Sequence, residues 1–368
     1  MLIVQNETVI YVLCPPGIVT GGIEAIHQLV HKLRQFGLDA RIVPTSPVRN
    51  PVLLQYRNYD VAFDCEVRDD KLNILITTEV NPHGLDPYRF IQKALWWLSV
   101  DNHEDLRKPF RFGHPETADT VHFVQSAYAA SYLEGKGQSC FFYLTDYLHS
   151  AYFPRGRLGH KNNIILYTPV KGAQPFIDRL QQADPSMQWL PLKGMIRKQH
   201  AQAMRDGKVY VDFGRHPGKD RQPREAVLNG CCVLVGLAGS ARFKEDLPIP
   251  DAYKFDLADL DTAKILETIR DCLSSHEERF RDFADYVDFV RQDEHRFEEE
   301  IKTAFDVQTL RPRPEALVKL GNILSFAQQN DWFTTSRGLM NELLPLSLSR
   351  WSKRLYLSSK GASESTLR

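Results

Sequence analysis

Several absences narrow the class of this chain before any motif is read. It carries no net charge, with 46 Lys and Arg against 46 Asp and Glu. That balance argues against a general nucleic-acid binder, whose hold on phosphates needs a basic surplus. No apolar run approaches the roughly 20 residues that span a bilayer. Gln5, Asn6 and Glu7 interrupt the partly apolar start, and no basic stretch precedes it as in a secretory leader. The expected location is therefore cytoplasmic. The six cysteines, Cys14, Cys65, Cys140, Cys231, Cys232 and Cys272, lack zinc spacing. They are expected to be mostly small buried side chains in a reducing compartment. There is no G-x-G-x-x-G fingerprint, which leaves a dinucleotide oxidoreductase poorly supported. There is no P-loop either, because three residues separate Gly214 from Gly218 and Asp220 follows Lys219.

What is present is ordinary for a soluble globular protein: 43% hydrophobic and 25% charged residues over 368 positions. That length allows two domains, each with a core of its own. Residues 9–13 read as a buried strand. Thr20-Gly21-Gly22-Ile23-Glu24 then opens a helix whose Ile23, Ile26, Leu29, Val30 and Leu33 recur at helical spacing. Gly37 ends it, and residues 40–43 resume as strand, completing a βαβ unit. Apolar runs at 61–63, 72–76, 96–100 and 121–124 continue the pattern. Helical stretches are expected at 88–95 and 127–133. After a polar link over residues 155–162 a second α/β set begins, with strands at 163–167, 189–192 and 208–213. From Asp261 onward the chain reads as helical, and the charge density of residues 293–302 suggests a solvated helix face.

The richest segment runs from the strand Val209-Tyr210-Val211-Asp212-Phe213-Gly214, through a loop and a helix that starts near Pro223, to the apolar strand after Gly230. Lys219, Arg221 and Arg224 gather at this strand-to-helix junction, with Glu225 behind them. A helix N-terminus presents free N–H groups and partial positive charge, so such a junction suits an anion. A lone carboxylate beside it can hydrogen-bond a sugar hydroxyl. Gly21-Gly22 and Lys171-Gly172 occupy similar junctions, where a ligand can approach the backbone. Glu79, His83, Asp101, His103 and Glu104 follow strands of the first half and could line a cleft. His216 sits beside the basic loop.

In this order these features resemble the GT-B glycosyltransferases, and within them the retaining family-4-like group. The Gly-Gly-Ile-Glu opening, Lys171-Gly172, residues 192–213, and the block from Arg224-Glu225-Ala226 to Gly230-Cys231-Cys232-Val233 carry the likeness, over about residues 8–300. The resemblance implies an α/β fold of two Rossmann-like domains facing across a cleft, followed by a helical C-terminal extension. The expected boundaries are 1–159 for an acceptor domain, 160–305 for a nucleotide-sugar domain and 306–368 for the extension. Glu225 matches the second glutamate of the family's E-x7-E motif, which holds the donor ribose; Pro217 stands where the first would be.

The expected catalytic residues are Glu225, Lys219, Arg224 and His103. The expected donor-binding residues are Gly21, Gly22, Lys171, His216, Gly218, Arg221 and Glu225. Neither metal nor cofactor is expected, the nucleotide sugar being a substrate, and transfer would proceed with retention. The acceptor would be a glycan or a lipid-linked glycan, in polysaccharide or glycoconjugate synthesis. Leu343-Leu344-Pro345-Leu346 and the basic, apolar residues 350–357 allow peripheral contact with the inner face of a membrane. Two alternatives stay open: a non-catalytic nucleotide- or carbohydrate-binding subunit, suggested by Pro217, and a nucleotide-sugar epimerase of the same architecture.

Overall fold

The computed structural model describes residues 2–307, apart from 155, 157, 158, 171 and 260. The expected C-terminal extension, including residues 343–357, lies outside the described residues. The fold is two α/β domains, each built on a parallel sheet. The first sheet comprises β1 (Val9–Cys14), β2 (Asp39–Pro44), β3 (Ala62–Phe63), β4 (Ile74–Thr78), β5 (Gln92–Trp97), β6 (Val121–Val124) and β7 (Phe141–Tyr143). Its order is β3-β2-β1-β4-β5-β6-β7, with every neighbouring pair parallel. The second comprises β8 (Asn162–Tyr167), β9 (Gln188–Pro191), β10 (Gly207–Asp212), β11 (Cys232–Gly236) and β12 (Lys254–Phe255), in the order β12-β11-β10-β8-β9.

The apolar runs form these strands because both faces of a parallel sheet are covered, so no polar alternation is needed. Ile10, Val12, Ile74, Ile76 and Ala94 are buried in the first sheet, and Val209, Val211, Val233 and Val235 in the second. Of the cysteines, Cys14, Cys231, Cys232 and Cys272 are buried and unbridged, whereas Cys65 and Cys140 are exposed.

In the first domain α1 (Gly21–Gln35) starts where Thr20 Oγ1 accepts the Ile23 N–H at 3.3 Å, and it buries Ile26, Leu29, Val30 and Leu33. The short α2 (Val100–Glu104) follows β5, and α3 (Ala127–Gly135) follows β6. The second domain carries α4 (Gln174–Ala183), α5 (Arg197–Asp206), α6 (Arg221–Leu228), α7 (Thr262–Ser274), α8 (His276–Phe280) and α9 (Ala284–Arg291). Residues 88–95 are not helical. Asp69 accepts the backbone N–H groups of Arg89, Phe90 and Ile91 at 2.8–2.9 Å, which holds that approach open and delivers Gln92–Trp97 to the sheet as β5.

The last described helix, α10 (Asp293–Ala304), returns to the first domain. Phe297, Ile301, Ala304 and Phe305 are buried in the core under α1 and β1. Lys32 of α1 bonds Glu294 and Glu298 at 2.6 Å each, and Glu300 accepts from Thr145 N and Oγ1 at 2.6 and 2.7 Å. Asp293 is buried, and the dense charge of 293–302 is solvated on one side only, where Glu294, His295 and Glu299 are exposed. Its carboxylates are spent on named partners, and its apolar residues at positions 297, 301 and 304 point inward at helical spacing.

Both sheets reverse their strand order once, between β1 and β4 in the first and between β8 and β10 in the second. Ligands of open α/β sheets bind at the carboxyl ends of strands flanking such a reversal. Thr20 and Glu79 follow β1 and β4; Thr168 and Asp212 lie at the ends of β8 and β10. The packing of α10 is checked by Phe297→Ala. It is expected to cost about 3–5 kcal/mol in urea unfolding, whereas a solvated helix would register a change within about 0.5 kcal/mol.

Candidate functional site

The carboxyl ends of the two sheets meet at a seam, and the segment between β10 and α6 forms much of it. Val100 N donates to Pro217 O at 2.8 Å. Gly218 lies flat on the opposite domain: a Cβ there would sit 1.9 Å from Leu98 O. Ser240 Oγ donates to Gly218 O at 2.6 Å from below. Asp246 of the second domain caps α3 of the first, accepting from Ala127 N at 2.8 Å and Tyr128 N at 3.0 Å. Gly218 was expected to let a donor approach the backbone. The space it frees is taken by Leu98, so its glycine serves domain contact.

Beside this contact lies a network of charges. Arg224 is fully buried and bonds Asp146 at 2.7 Å, Asp293 at 2.9 Å, and the carbonyls of Lys219 and Asp146. Lys219 Nζ bonds Asp293 at 2.8 Å, and Arg296 bonds the same carboxylate at 2.6 Å. Arg221 bridges Asp146 at 2.7 Å and Glu24 at 2.6 Å, and Arg197 of α5 reaches Glu24 at 3.0 Å. Burial alone would raise the Asp146 carboxyl; Arg224, Arg221 and Lys219 outweigh it and hold its pKa below the ordinary value. Burial lowers the Lys219 ammonium against the pull of Asp293.

Lys219 and Arg224, expected to meet the donor diphosphate, therefore spend their donors inside the protein. A fully desolvated cation is tolerated only with such partners. Arg221 keeps partial access to solvent, its side chain 13% exposed, and Arg197 is 26% exposed. Gly21 makes this arrangement possible, because its missing side chain leaves room for the Arg221 stem, whose Cδ and Nε lie 3.0 and 3.1 Å from where a Cβ would be. Gly22 is less constrained, with Leu98 Cδ1 3.5 Å from the equivalent position. Lys171 lies outside the described residues.

Glu225 faces a polar group set from α5 and the interdomain link. His200 Nδ1 is 3.7 Å from Glu225 Oε2 and 3.2 Å from the Tyr152 hydroxyl. Burial drops His200 to about 4, so it is neutral and the contact is not an ion pair. Burial pushes Glu225 up to about 7, opposed by Arg221. Gln222 joins His200 at 3.4 Å, accepts from Thr168 Oγ1 and has its Oε1 3.2 Å from Tyr210 Oη. Tyr210 donates to Asp212 at 2.9 Å. His216 stands between Asp212 and Asp220, with Nδ1 2.8 Å from Asp220 Oδ2 and Nε2 4.0 Å from Asp212 Oδ1. These three residues bring potential metal-ligand atoms within 4.8 Å of one another. The 2.8 Å approach suits a hydrogen bond between imidazole and carboxylate, so His216 is placed as a buried link at the base of the loop.

His103 lies away from the charge network. Its Nε2 accepts the Phe110 N–H at 2.8 Å, its Nδ1 meets the Tyr132 hydroxyl at 3.2 Å, and Trp97 packs on its edge. Burial lowers its pKa. It is a core imidazole with both nitrogens engaged, not a free base. Asp101 accepts from Tyr128, Glu104 from Tyr132, and His83 joins Asp86 and the Lys108 carbonyl. Glu79 is buried at the end of β4, where it accepts the Leu98 N–H at 2.9 Å. Burial pushes it up to about 7. An Asp-x-Asp spacing occurs at Asp259 and Asp261, but Asp261 caps α7 by accepting the Lys264 N–H at 3.0 Å. A groove of about 700 Å³ on the flank of the first sheet includes Tyr11, Arg41, Asp64 and Arg68. Arg41 there is already paired with Asp39 and Asp64.

No protein-family model matches the chain, and no curated protein matches it. Among solved structures it is similar to Anabaena HepE in complex with UDP and glucose, at TM-score 0.58 and 12% identity over 82% of this chain and 99% of that one. HepE with UDP-glucose gives 0.55 and 10%, over 82% and 99%, and HepE with UDP gives 0.53 and 12%, over 82% and 100%. At these identities the likeness is one of fold, covering both domains.

Two measurements check this geometry. Asp293→Asn leaves Lys219 and Arg224 short of a charge in the interior and is expected to cost about 3–5 kcal/mol in urea unfolding. Glu79 binds its proton more tightly folded than unfolded, so its contribution to stability is complete below about pH 4.5 and declines as pH rises through about 7. Wild type should lose about 3 kcal/mol more than Glu79→Gln across that window; parallel pH profiles would contradict the assignment.

Proposed function

We propose that this chain is a glycosyltransferase that moves a sugar from a nucleotide-sugar donor to a glycan or lipid-linked acceptor. The observation that carries this reading is the meeting of two strand-order reversals at one seam, where Arg197, Arg221 and the start of α1 surround a point that solvent reaches. Cations and helix N-termini stabilise the charge that develops on a departing diphosphate. Glu225, beside Arg221 and with its pKa raised to about 7, can donate as well as accept a hydrogen bond, which suits a ribose diol. The fold likeness to HepE, a protein solved with UDP and with UDP-glucose, supports a uridine diphosphate sugar as the donor class.

On this reading residues 160–305 hold the donor, with 293–305 packed back on the other domain, and residues 1–159 hold the acceptor. The acceptor oxygen bonds the anomeric carbon as the bond from that carbon to the diphosphate oxygen breaks. The hydroxyl proton passes to the leaving phosphate on the same face, which retains configuration. Arg197 and Arg221 take up the leaving charge, so the proposed chemistry needs no metal. The proposed setting is glycan synthesis at the inner face of a membrane. No helix among the described residues is long and apolar enough to cross one.

A second reading, a non-catalytic nucleotide-binding subunit, is favoured by Pro217 and by the sealing of Lys219 and Arg224 among carboxylates. Melting temperature and turnover separate the two. UDP at 100 times its Kd should stabilise the protein by about 2.7 kcal/mol, and UDP-glucose should be consumed when an acceptor glycan is supplied. Arg221→Ala and Glu225→Ala should each slow transfer by about 100-fold. Stabilisation without turnover would select the binding subunit, and conversion of the donor with no acceptor present would select an epimerase. If UDP and other nucleoside diphosphates all leave the melting temperature unchanged, both nucleotide readings fail.

A further inference from the structure

We infer that Arg197 and Arg221 form the seat for the donor diphosphate, and that in the ligand-free protein the Glu24 carboxylate fills this seat as a built-in substitute anion. The inference rests on the nucleotide-sugar reading above, which already uses both arginines, and adds Glu24 as the group that competes for them. Glu24 projects from the first turns of α1 and offers one oxygen to each guanidinium, Oε1 to Arg197 at 3.0 Å and Oε2 to Arg221 at 2.6 Å. Tyr59 donates its hydroxyl to Oε1 at 2.9 Å. Two guanidiniums and a hydroxyl converging on one small anion is also how a phosphate is held, since Arg forks match both groups.

Exposure separates this pair from the two bridges at the centre of the network; Arg296, on the α10 side, is 29% exposed, but the Asp293 it bonds is 1%. The Lys219–Asp293 and Arg224–Asp293 bridges have side-chain exposures of 3% or less on both sides. Exposure rises to 13% for Arg221 and 26% for Arg197. The Glu24 bridges are thus more open to a solute at the seam than the bridges of Lys219 and Arg224. The start of α1 adds partial positive charge beside this point, and Gly21 and Gly22 put no side chain over it.

Exchange is also favourable in charge. When Glu24 leaves, Arg221 keeps Asp146 at 2.7 Å, whereas Arg197 loses its carboxylate partner among the described residues. A diphosphate carries more charge than a carboxylate and can bridge both guanidiniums, so it restores what Glu24 gave up. Glu24 thus competes with the ligand, and apparent affinity is scaled down to the fraction of molecules in which the seat is open.

Titration with inorganic pyrophosphate and, separately, with UDP tests this on wild type, Glu24→Gln and Arg197→Ala. Glu24→Gln keeps the shape but removes the competing charge. It should bind both probes about five- to tenfold more tightly than wild type. Arg197→Ala, at a partly exposed position, should bind both about tenfold more weakly. Urea unfolding of each variant controls for loss of fold, and Glu24→Asp, which keeps the charge, should stay within about twofold of wild type. If wild type binds UDP and neither Glu24→Gln nor Arg197→Ala changes its affinity for either probe, the seat is wrong while the transferase reading survives. If pyrophosphate follows the expected order but no nucleotide adds affinity, the seat stands and the nucleotide-sugar reading falls.

Discussion

Three carboxylates, Glu24, Asp146 and Asp293, decide how the two domains meet. Each comes from outside the segment whose charge it neutralises: one from α1, one from the interdomain link and one from α10. Without them the basic residues around the start of α6 would repel one another in a site with little water, and isolated buried charge is costly. With them the same residues become the cement of the seam. The close approach of Gly218 to Leu98 is compatible with this only because the charges alongside are balanced.

That arrangement divides the basic cluster by role. Residues at the centre, Lys219 and Arg224, are bound up in the interior: the N–H groups of Arg224 meet carboxylates and carbonyls, and Lys219 Nζ bonds Asp293 and lies over the Phe289 ring. Residues at the margin, Arg221 and Arg197, face outward enough to exchange partners. Glu225 and its neighbours Gln222, His200 and Tyr152 line the adjacent polar region.

The sequence made the framework legible because parallel strands are continuous apolar runs and α1 carries a clear helical period. It failed where tertiary partners overrode local signals. Residues 88–95 have helical spacing, yet Asp69 captures three of their amides. The strands Phe141–Tyr143 and Lys254–Phe255 are too short to leave a periodic trace. The clustering of Lys219, Arg221 and Arg224 was visible, and so was the glycine opening of α1. Which cations were available was not, since that depends on Asp146 and Asp293, which lie far from them in sequence. The available signal was arithmetic: a chain with equal numbers of acids and bases that gathers cations at a buried junction must bring acids to it from elsewhere. His103 was misleading for a related reason, because its partners Phe110 and Tyr132 come from a loop and from α3.

The return of α10 to the first domain has a mechanical consequence. The chain crosses between the domains twice, once between β7 and β8 and again between α9 and α10. A body tied to another at two separate points cannot slide past it or swing about a single pivot. Any opening of the far side would be restrained by both ties, and Asp293, at the first turn of α10, sits beside one of them.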